Sequence, residues 1–178
     1  MPRHQETRIL PYTADQMYAV VADVERYPEF LPWCTRLKVL SREKDGTKNI
    51  VTAEMVVSYK AFRERYISRV TMDPATCTIE AAHVQGPFQH LDTRWRFTSL
   101  DKGTEAAFFI DFAFKSPLLS AVANVAFGYV AARMTESFVA RAEDVIEVLA
   151  READFAVVYG TRMQKLTDKD GFANGRSE

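Results

Sequence analysis

The sequence predicts an α+β domain in which a curved antiparallel sheet of about seven strands wraps around one long C-terminal helix. Three observations predict it: apolar residues alternate with period two between recurrent turns over residues 36–114, an apolar stripe of helical spacing occupies residues 118–149, and no proline follows Pro117 to interrupt that stripe. A helix of that length, about 50 Å, has to bury its stripe. The concave face of the meander is the large apolar partner the chain offers it.

Residues 7–10 read as the first strand. Thr13 followed by Gln16 is a capping-box signature, and Met17, Val20, Val21 and Val24 keep helical spacing behind it. The segment Tyr27-Pro-Glu-Phe-Leu-Pro-Trp-Cys34 breaks that helix with two prolines while carrying Phe30, Leu31 and Trp33, so two short helices and a compact, apolar turn are expected there. Turns at Lys44-Asp-Gly-Thr47, Asp73-Pro-Ala75, Gln85-Gly-Pro87 and Asp101-Lys-Gly103 divide the meander into six strands. Val51, Ala53, Met55, Val57 and Tyr59 share one face of the second of these. Phe62, Tyr66, Val70 and Met72 continue that face against Arg63, Arg65 and Arg69. Leu91, Trp95 and Phe97 oppose Asp92, Arg94 and Arg96, and Phe108, Ile110, Phe112 and Phe114 complete an inner face of large apolar side chains with a charged outer one.

Ser116 is placed to cap the long helix, with Pro117 at its rigid first position. Its stripe runs through Leu118, Val122, Val125, Ala126, Tyr129, Val130, Arg133, Met134, Phe138, Ala142, Val145, Ile146 and Leu149, and Gly128 marks a bend or a point of close contact. The uncharged stretch 118–132 falls short of the roughly 20 residues that cross a bilayer, so lying on a membrane is the reading open to it. Residues 1–150 form the expected domain, and the polar residues 151–178 an extension expected to be largely disordered.

With 23 Lys and Arg against 24 Asp and Glu, no broad field would draw the protein to phosphates, and nucleic-acid binding would need a local patch. Arg63, Arg65, Arg69, Arg94 and Arg96 are the residues that would form one; the other reading is a solvated face with acidic neighbours. Cys34 and Cys77 read as reduced thiols rather than a disulfide or metal framework. The first twelve residues lack the apolar core of a secretory signal, from which a cytoplasmic location is expected, peripheral at the inner membrane where the protein meets lipid.

Nucleophilic catalysis would need a Ser or Cys beside His and an acid, and the chain offers His4, at an end expected to fray, and His83 and His90, which flank the Gly86-Pro87 turn. As a metal pair those two lack a third ligand, so no metal is expected. Glu64 alternates onto the inner face and is the best single candidate for a general base; against that stand a position at the sheet rim and a salt bridge to an arginine such as Arg133. Asp111 shares its strand face with Ala107, Phe109 and Ala113 and is expected in solvent. Binding without turnover is the expectation, with no cofactor.

Tyr27-Pro-Glu-Phe-Leu-Pro-Trp-Cys34, Gly86-Pro-Phe-Gln-His-Leu91 followed by Trp95-Arg-Phe97, and Asp111-Phe-Ala-Phe114 leading into Leu118-Leu119 resemble the coenzyme Q-binding START-domain family, within the polyketide cyclase/dehydrase-like helix-grip superfamily. The resemblance covers roughly residues 7–149. It implies a helix-grip fold and a ubiquinone or related polyprenyl quinone as ligand, in a carrier or chaperone role for respiration and quinone biosynthesis. Bacterial relatives named as ribosome-association toxins imply a second reading, in which the arginine face meets the large ribosomal subunit; a cyclase-like enzyme using Glu64 is the third. The side chains expected to hold the ligand are Phe30, Leu31, Trp33 and Phe88 at an apolar mouth, Met55, Val57, Phe62, Leu91, Trp95, Phe97 and Phe112 on the sheet, and Tyr129, Val130, Met134 and Phe138 on the helix.

Overall fold

The computed structural model describes residues 2–170, with side chains described for residues 2–151. Its seven strands are β1 (Arg3–Leu10), β2 (Cys34–Asp45), β3 (Lys48–Tyr59), β4 (Phe62–Asp73), β5 (Thr78–Gln85), β6 (Phe88–Ser99) and β7 (Thr104–Phe114). They form one sheet in the order β1-β7-β6-β5-β4-β3-β2. Every neighbouring pair is antiparallel, so β2 to β7 follow one another by hairpins, while β1 crosses to the far edge to pair with β7. The β2 edge is guarded by the exposed Arg42, Glu43, Lys44 and Asp45, charges that discourage pairing with another chain.

β1 is longer than the expected 7–10 because its inner positions, His4, Glu6 and Arg8, are polar and carry no apolar alternation. These side chains are partnered instead. Glu6 accepts from Arg8 and from Thr135 of the long helix at 2.9 Å, and lies 3.4 Å from His4, whose ring packs near Phe108 and Phe127. Burial works to raise the Glu6 carboxyl, and the hydrogen bonds from Arg8, Thr135 and His4 outweigh it and hold it below its ordinary value. His4, expected at a frayed end, is therefore built into the sheet.

Between β1 and β2 come α1 (Ala14–Ala22), a single 3-10 turn at Val24–Arg26, and α2 (Tyr27–Phe30). The capping box closes reciprocally: Gln16 N donates to Thr13 Oγ1 at 3.1 Å, and Thr13 N donates to Gln16 Oε1 at 3.0 Å. Pro28 sits in the first turn of α2, where its missing N–H breaks no helical bond. Ala14, Met17, Val20 and Val21 turn inward as α1 lies against β5, β6 and β7.

The long helix α3 is Pro117–Asp170. Leu119 N donates to Ser116 Oγ at 3.4 Å, as the cap predicts. The helix runs on past Leu149, so residues 151–170 have helical backbone where their polarity suggests an irregular extension; residues 171–178 lie outside the described residues. The compact unit ends at Ala142, short of the expected boundary at 150. From Glu143 onward the helix carries an i,i+4 pair, Arg151–Glu147 at 3.6 Å, and exposed Val148 and Leu149.

The single stripe read from sequence separates into two faces. Ala126, Ala131, Thr135, Phe138 and Ala142 are buried, whereas Leu118, Val122, Val125 and Tyr129 are exposed. Gly128 is not a close-contact point: a Cβ built there meets nothing within 4 Å. Because glycine in an exposed helix interior loses about 1 kcal/mol relative to alanine, Gly128→Ala should raise stability by that amount, read as a shift in the urea midpoint at constant slope.

Candidate ligand cavity

Sheet and helix do not close on each other completely. Along the inner face the sheet contributes large rings, and opposite them α3 presents Ala123, Ala126 and Ala131, too short to fill the gap. Two adjoining chambers result. The outer one, about 150 Å³, lies between Val57, Phe62, Phe112 and Phe114 of the sheet and Val122, Phe127 and Val130 of α3. The inner one, about 130 Å³, is closed by Val24, Tyr27 and Leu31 from the short helices, Met55, Ser68, Thr93 and Trp95 from the sheet, and Phe138 from α3. Trp33, Tyr66, Leu91, Phe108, Ile110 and Met134 line both, so the chambers share a wall.

The local backbone explains how Phe88 and Leu91 both come to face this space. Three positions apart, they would point to opposite sides of a regular strand. The β6–β7 register shifts between Phe88 and His90, and this irregularity returns both side chains to the concave face. Gly86 precedes it at φ +141, where a Cβ would come within 2.7 Å of Tyr66 Cβ, so only glycine lets the β5–β6 turn approach Tyr66. Phe88 then stacks on Phe114 at 4.5 Å and meets Tyr66 edge-on at 5.1 Å.

Of the fifteen side chains expected at the ligand, Trp33, Val57, Phe62, Phe88, Leu91, Phe112, Val130 and Met134 line the outer chamber, and Leu31, Met55, Trp95 and Phe138 the inner one. Phe30, Phe97 and Tyr129 line neither. Phe30 packs edge-on to Phe138 at 5.2 Å under the Arg141 guanidinium, Phe97 stacks on Trp95 at 5.8 Å, and Tyr129 meets Tyr59 at 5.9 Å outside the wall. The expected apolar mouth is also corrected. Leu31, Trp33 and Phe88 are buried: the short helices bring Leu31 and Trp33 inward against the sheet, and the register irregularity of β6 turns Phe88 to the concave face. Tyr66, Phe114 and Tyr27 are lining residues absent from the expected set; the first two already stood on the inner face by alternation.

The polar side-chain groups on lining residues include the hydroxyls of Tyr27, Tyr66, Ser58, Ser68 and Thr93 and the indole N–H groups of Trp33 and Trp95. Tyr66 OH contacts Met55 Sδ at 3.0 Å, and Tyr27 OH donates to the Val21 carbonyl. Burial pushes both phenols well above their ordinary value, so both remain protonated donors. Burial likewise pushes the Cys34 thiol from 9.0 to about 11, leaving it an inert neighbour.

The catalytic alternatives do not assemble. Glu64 is half-buried and lines neither chamber, and the Arg133 guanidinium lies over the Tyr129 ring at 4.9 Å rather than on Glu64. His90 and Asp111 meet each other at 3.2 Å, with Arg3 on Asp111 at 3.1 Å, so Asp111 is ion-paired rather than merely solvated; its carboxyl is held low first by His90. His83 instead packs edge-on to Phe88 at 5.7 Å. No group of three or more His, Cys, Asp or Glu among the described residues is arranged to hold a metal. The outer arginines are largely matched: Arg94 bonds Glu80 at 2.7 Å, with Arg69 near Glu43 at 3.8 Å and Arg65 near Glu54 at 3.9 Å.

A curved sheet gripping a helix around an apolar, hydroxyl-dotted cavity defines a START-like helix-grip protein. The chain belongs to the family described as polyketide cyclase / dehydrase and lipid transport, whose model matches residues 10–139. It is 34% identical over 146 residues to the ribosome association toxin RatA of Rickettsia prowazekii, covering 80% of this chain and 97% of that protein. It is 37% identical over 140 residues to the mitochondrial coenzyme Q-binding protein COQ10 homolog B of Xenopus laevis, covering 76% of this chain and 55% of that one, so it spans about half of that relative's length. Among solved structures, the 18 kDa protein CC1736 from Caulobacter crescentus matches with TM-score 0.69 at 37% identity, over 83% of this chain and 99% of that one. The ZhuI aromatase/cyclase from Streptomyces shares the fold, with TM-score 0.68 at 19% identity, over 82% and 95%.

The Cys34 shift makes a pH prediction. A folded-state value raised from 9.0 to about 11 gives stability that is complete below pH 9 and lost as pH rises through that window. Urea midpoints followed from pH 8 to pH 11, about the span of that window, should fall more steeply for the unaltered protein than for Cys34→Ala.

Proposed function

We propose that the chain binds ubiquinone or a related polyprenyl quinone in the two-chambered cavity and carries or presents it without turnover. The observation that carries this is the contrast between two chambers that share a wall: an outer one walled mainly by phenylalanines, and an inner one where Ser68 and Thr93 add hydroxyls to that of Tyr66, which lines both. An isoprenoid tail suits the first and a quinone head the second. Tyr66 supports the polarity of the assignment, since its proton rests on a thioether, a weak acceptor, and is readily transferred to a ligand carbonyl. Similarity to a protein named for coenzyme Q binding supports the ligand class.

Similarity to RatA-named proteins along nearly their whole length favours a second reading, association with the large ribosomal subunit through the outer face. The pairing of Arg65, Arg69 and Arg94 with glutamates leaves Arg63 and Arg96 as its cations without an ion pair among the described residues of that face. A cytoplasmic protein that meets membranes peripherally suits the first reading, and a cytoplasmic one suits the second.

Organic extraction of protein purified without detergent from a quinone-producing host should yield quinone in near-stoichiometric amount by mass spectrometry; repeated absence of lipid, with no change in Trp fluorescence on adding quinone, would sink the carrier reading. Tyr66→Phe, which deletes one hydrogen bond, should weaken quinone binding by roughly 2- to 10-fold with the fold intact. Trp95→Ala should weaken it too, at a stability cost of about 3–5 kcal/mol, so circular dichroism accompanies the titration. For the ribosomal reading, Arg63→Glu with Arg96→Glu should abolish co-sedimentation with large subunits and leave quinone binding unchanged; no co-sedimentation of the unaltered protein at low salt retires that reading.

A further inference from the structure

Over residues 118–132 the exposed side of α3 is largely apolar, like its buried side. Leu118, Val122, Val125 and Tyr129 are 73%, 38%, 83% and 48% exposed, and their spacing of four, three and four places them on one line along the helix. No charged residue occurs from 118 to 132. The first 35 residues of α3, Pro117–Arg151, contain an 18-residue window of mean hydropathy 1.3 of which 22% is buried. Since the sheet grips this same helix on its other side, its apolarity forms a face and not a span.

That face continues into the cavity. Val122 belongs to the exposed line and also lines the outer chamber, and Tyr59 lines the chamber while its ring meets the exposed Tyr129 at 5.9 Å. Lys60 Nζ lies 5.5 Å from the Tyr59 ring centre, and the Arg133 guanidinium 4.9 Å from that of Tyr129. Neither cation, nor Lys115 just before α3, takes part in an ion pair among the described residues.

We propose that Leu118, Val122, Val125 and Tyr129 of α3, with Tyr59 and Lys60 at the β3–β4 turn, dock on an anionic phospholipid bilayer, where the outer chamber exchanges its ligand. Apolar side chains enter the acyl boundary, the two tyrosines sit at headgroup depth, and Lys60, Arg133 and Lys115 meet the phosphates. Charge favours a bilayer over a second copy of the chain: from residue 118 to residue 135 the helix carries Arg133 and no carboxylate, Glu136 standing a turn further on, so a symmetric contact centred on Val125 would set the cations of two copies against each other. Glu64 faces the concave side but lines neither chamber. Cavity size points the same way, because a cavity of roughly 150 Å³ admits about one benzene-sized ring, and a long tail has to leave through the lip beside the exposed line. The exchange step rests on the carrier reading, but docking does not.

Docking is measured on ligand-free protein by flotation with vesicles of phosphatidylcholine alone or mixed with phosphatidylglycerol. The protein should float with the mixed vesicles, less with the neutral ones, and release as salt rises. Val125→Glu, outside the lining of both chambers, should cut flotation by about tenfold or more with an unchanged thermal melt. Lys60→Glu with Arg133→Glu should reduce binding on mixed vesicles to the neutral level. Absence of flotation by the unaltered protein, or flotation indifferent to Val125→Glu, overturns the proposal. So does a dimer in sedimentation velocity that Val125→Glu converts to monomer without any vesicle binding, which gives the face to a second copy. Flotation that behaves as expected while extracts hold no quinone leaves the docking surface standing and removes the carrier reading alone.

Discussion

Phe138 is the point from which the rest of the arrangement follows. It is 2% exposed and meets three rings edge-on at 5.2 Å each: Tyr27 and Phe30 from the short helices and Trp95 from the sheet. One side chain of α3 thus ties the helix to both other parts of the compact unit. Thr135 adds a hydrogen bond to Glu6 one turn earlier, joining the helix to the β1 edge. With the helix held tightly here, its earlier turns stand over the sheet on alanines rather than on large side chains. The void is therefore a product of where the helix is fastened, and its position follows from the order of large and small residues along α3.

This geometry sets the cavity apart from the charged groups of the domain. The residues lining the cavity are mostly apolar, burial keeps the Tyr27 and Tyr66 phenols protonated, and among the described residues Glu64, His83, His90 and Asp111 line neither chamber. The same fold holds an aromatase/cyclase in a protein 19% identical, so the scaffold alone does not choose between holding a ligand and transforming it. The choice rests with the side chains lining the space, which in this chain are mostly apolar with a few hydrogen-bond donors.

Much of the fold was legible because period-two alternation and turn residues are local signals: β3, β4, β6 and β7 stand where the pattern of Met55, Tyr66, Trp95 and Phe112 puts them. The full length of β1 is not legible by this rule, because its inward residues are a hydrogen-bonded polar set, which alternation of apolar residues cannot register. The cavity was legible on the sheet side and less so on the helix side. Leu118, Val125 and Tyr129 share helical spacing with truly buried positions, and only the tertiary contact divides one broad apolar arc into a gripped half and an exposed half. The segment around Phe30 differs in the opposite sense: apolar residues between two prolines fit an opening, whereas Leu31 and Trp33 close the inner wall. The register irregularity before His90 leaves no mark in composition at all.

The pairing of β1 with β7 sets a condition on how the chain acquires its shape. Arg3 and Asp111 share an ion pair across 108 positions of sequence, and the sheet edge at β7 stays open until the first strand arrives there. During synthesis the first strand emerges early and has no partner until the last one is made, while the hairpins from β2 onward can form as they appear. Closure of that edge is a late, long-range step, of the kind that slows folding through the entropy of closing a large loop. On the ribosome, a partly made chain would accordingly expose one side of its sheet until nearly the whole domain had left the exit tunnel.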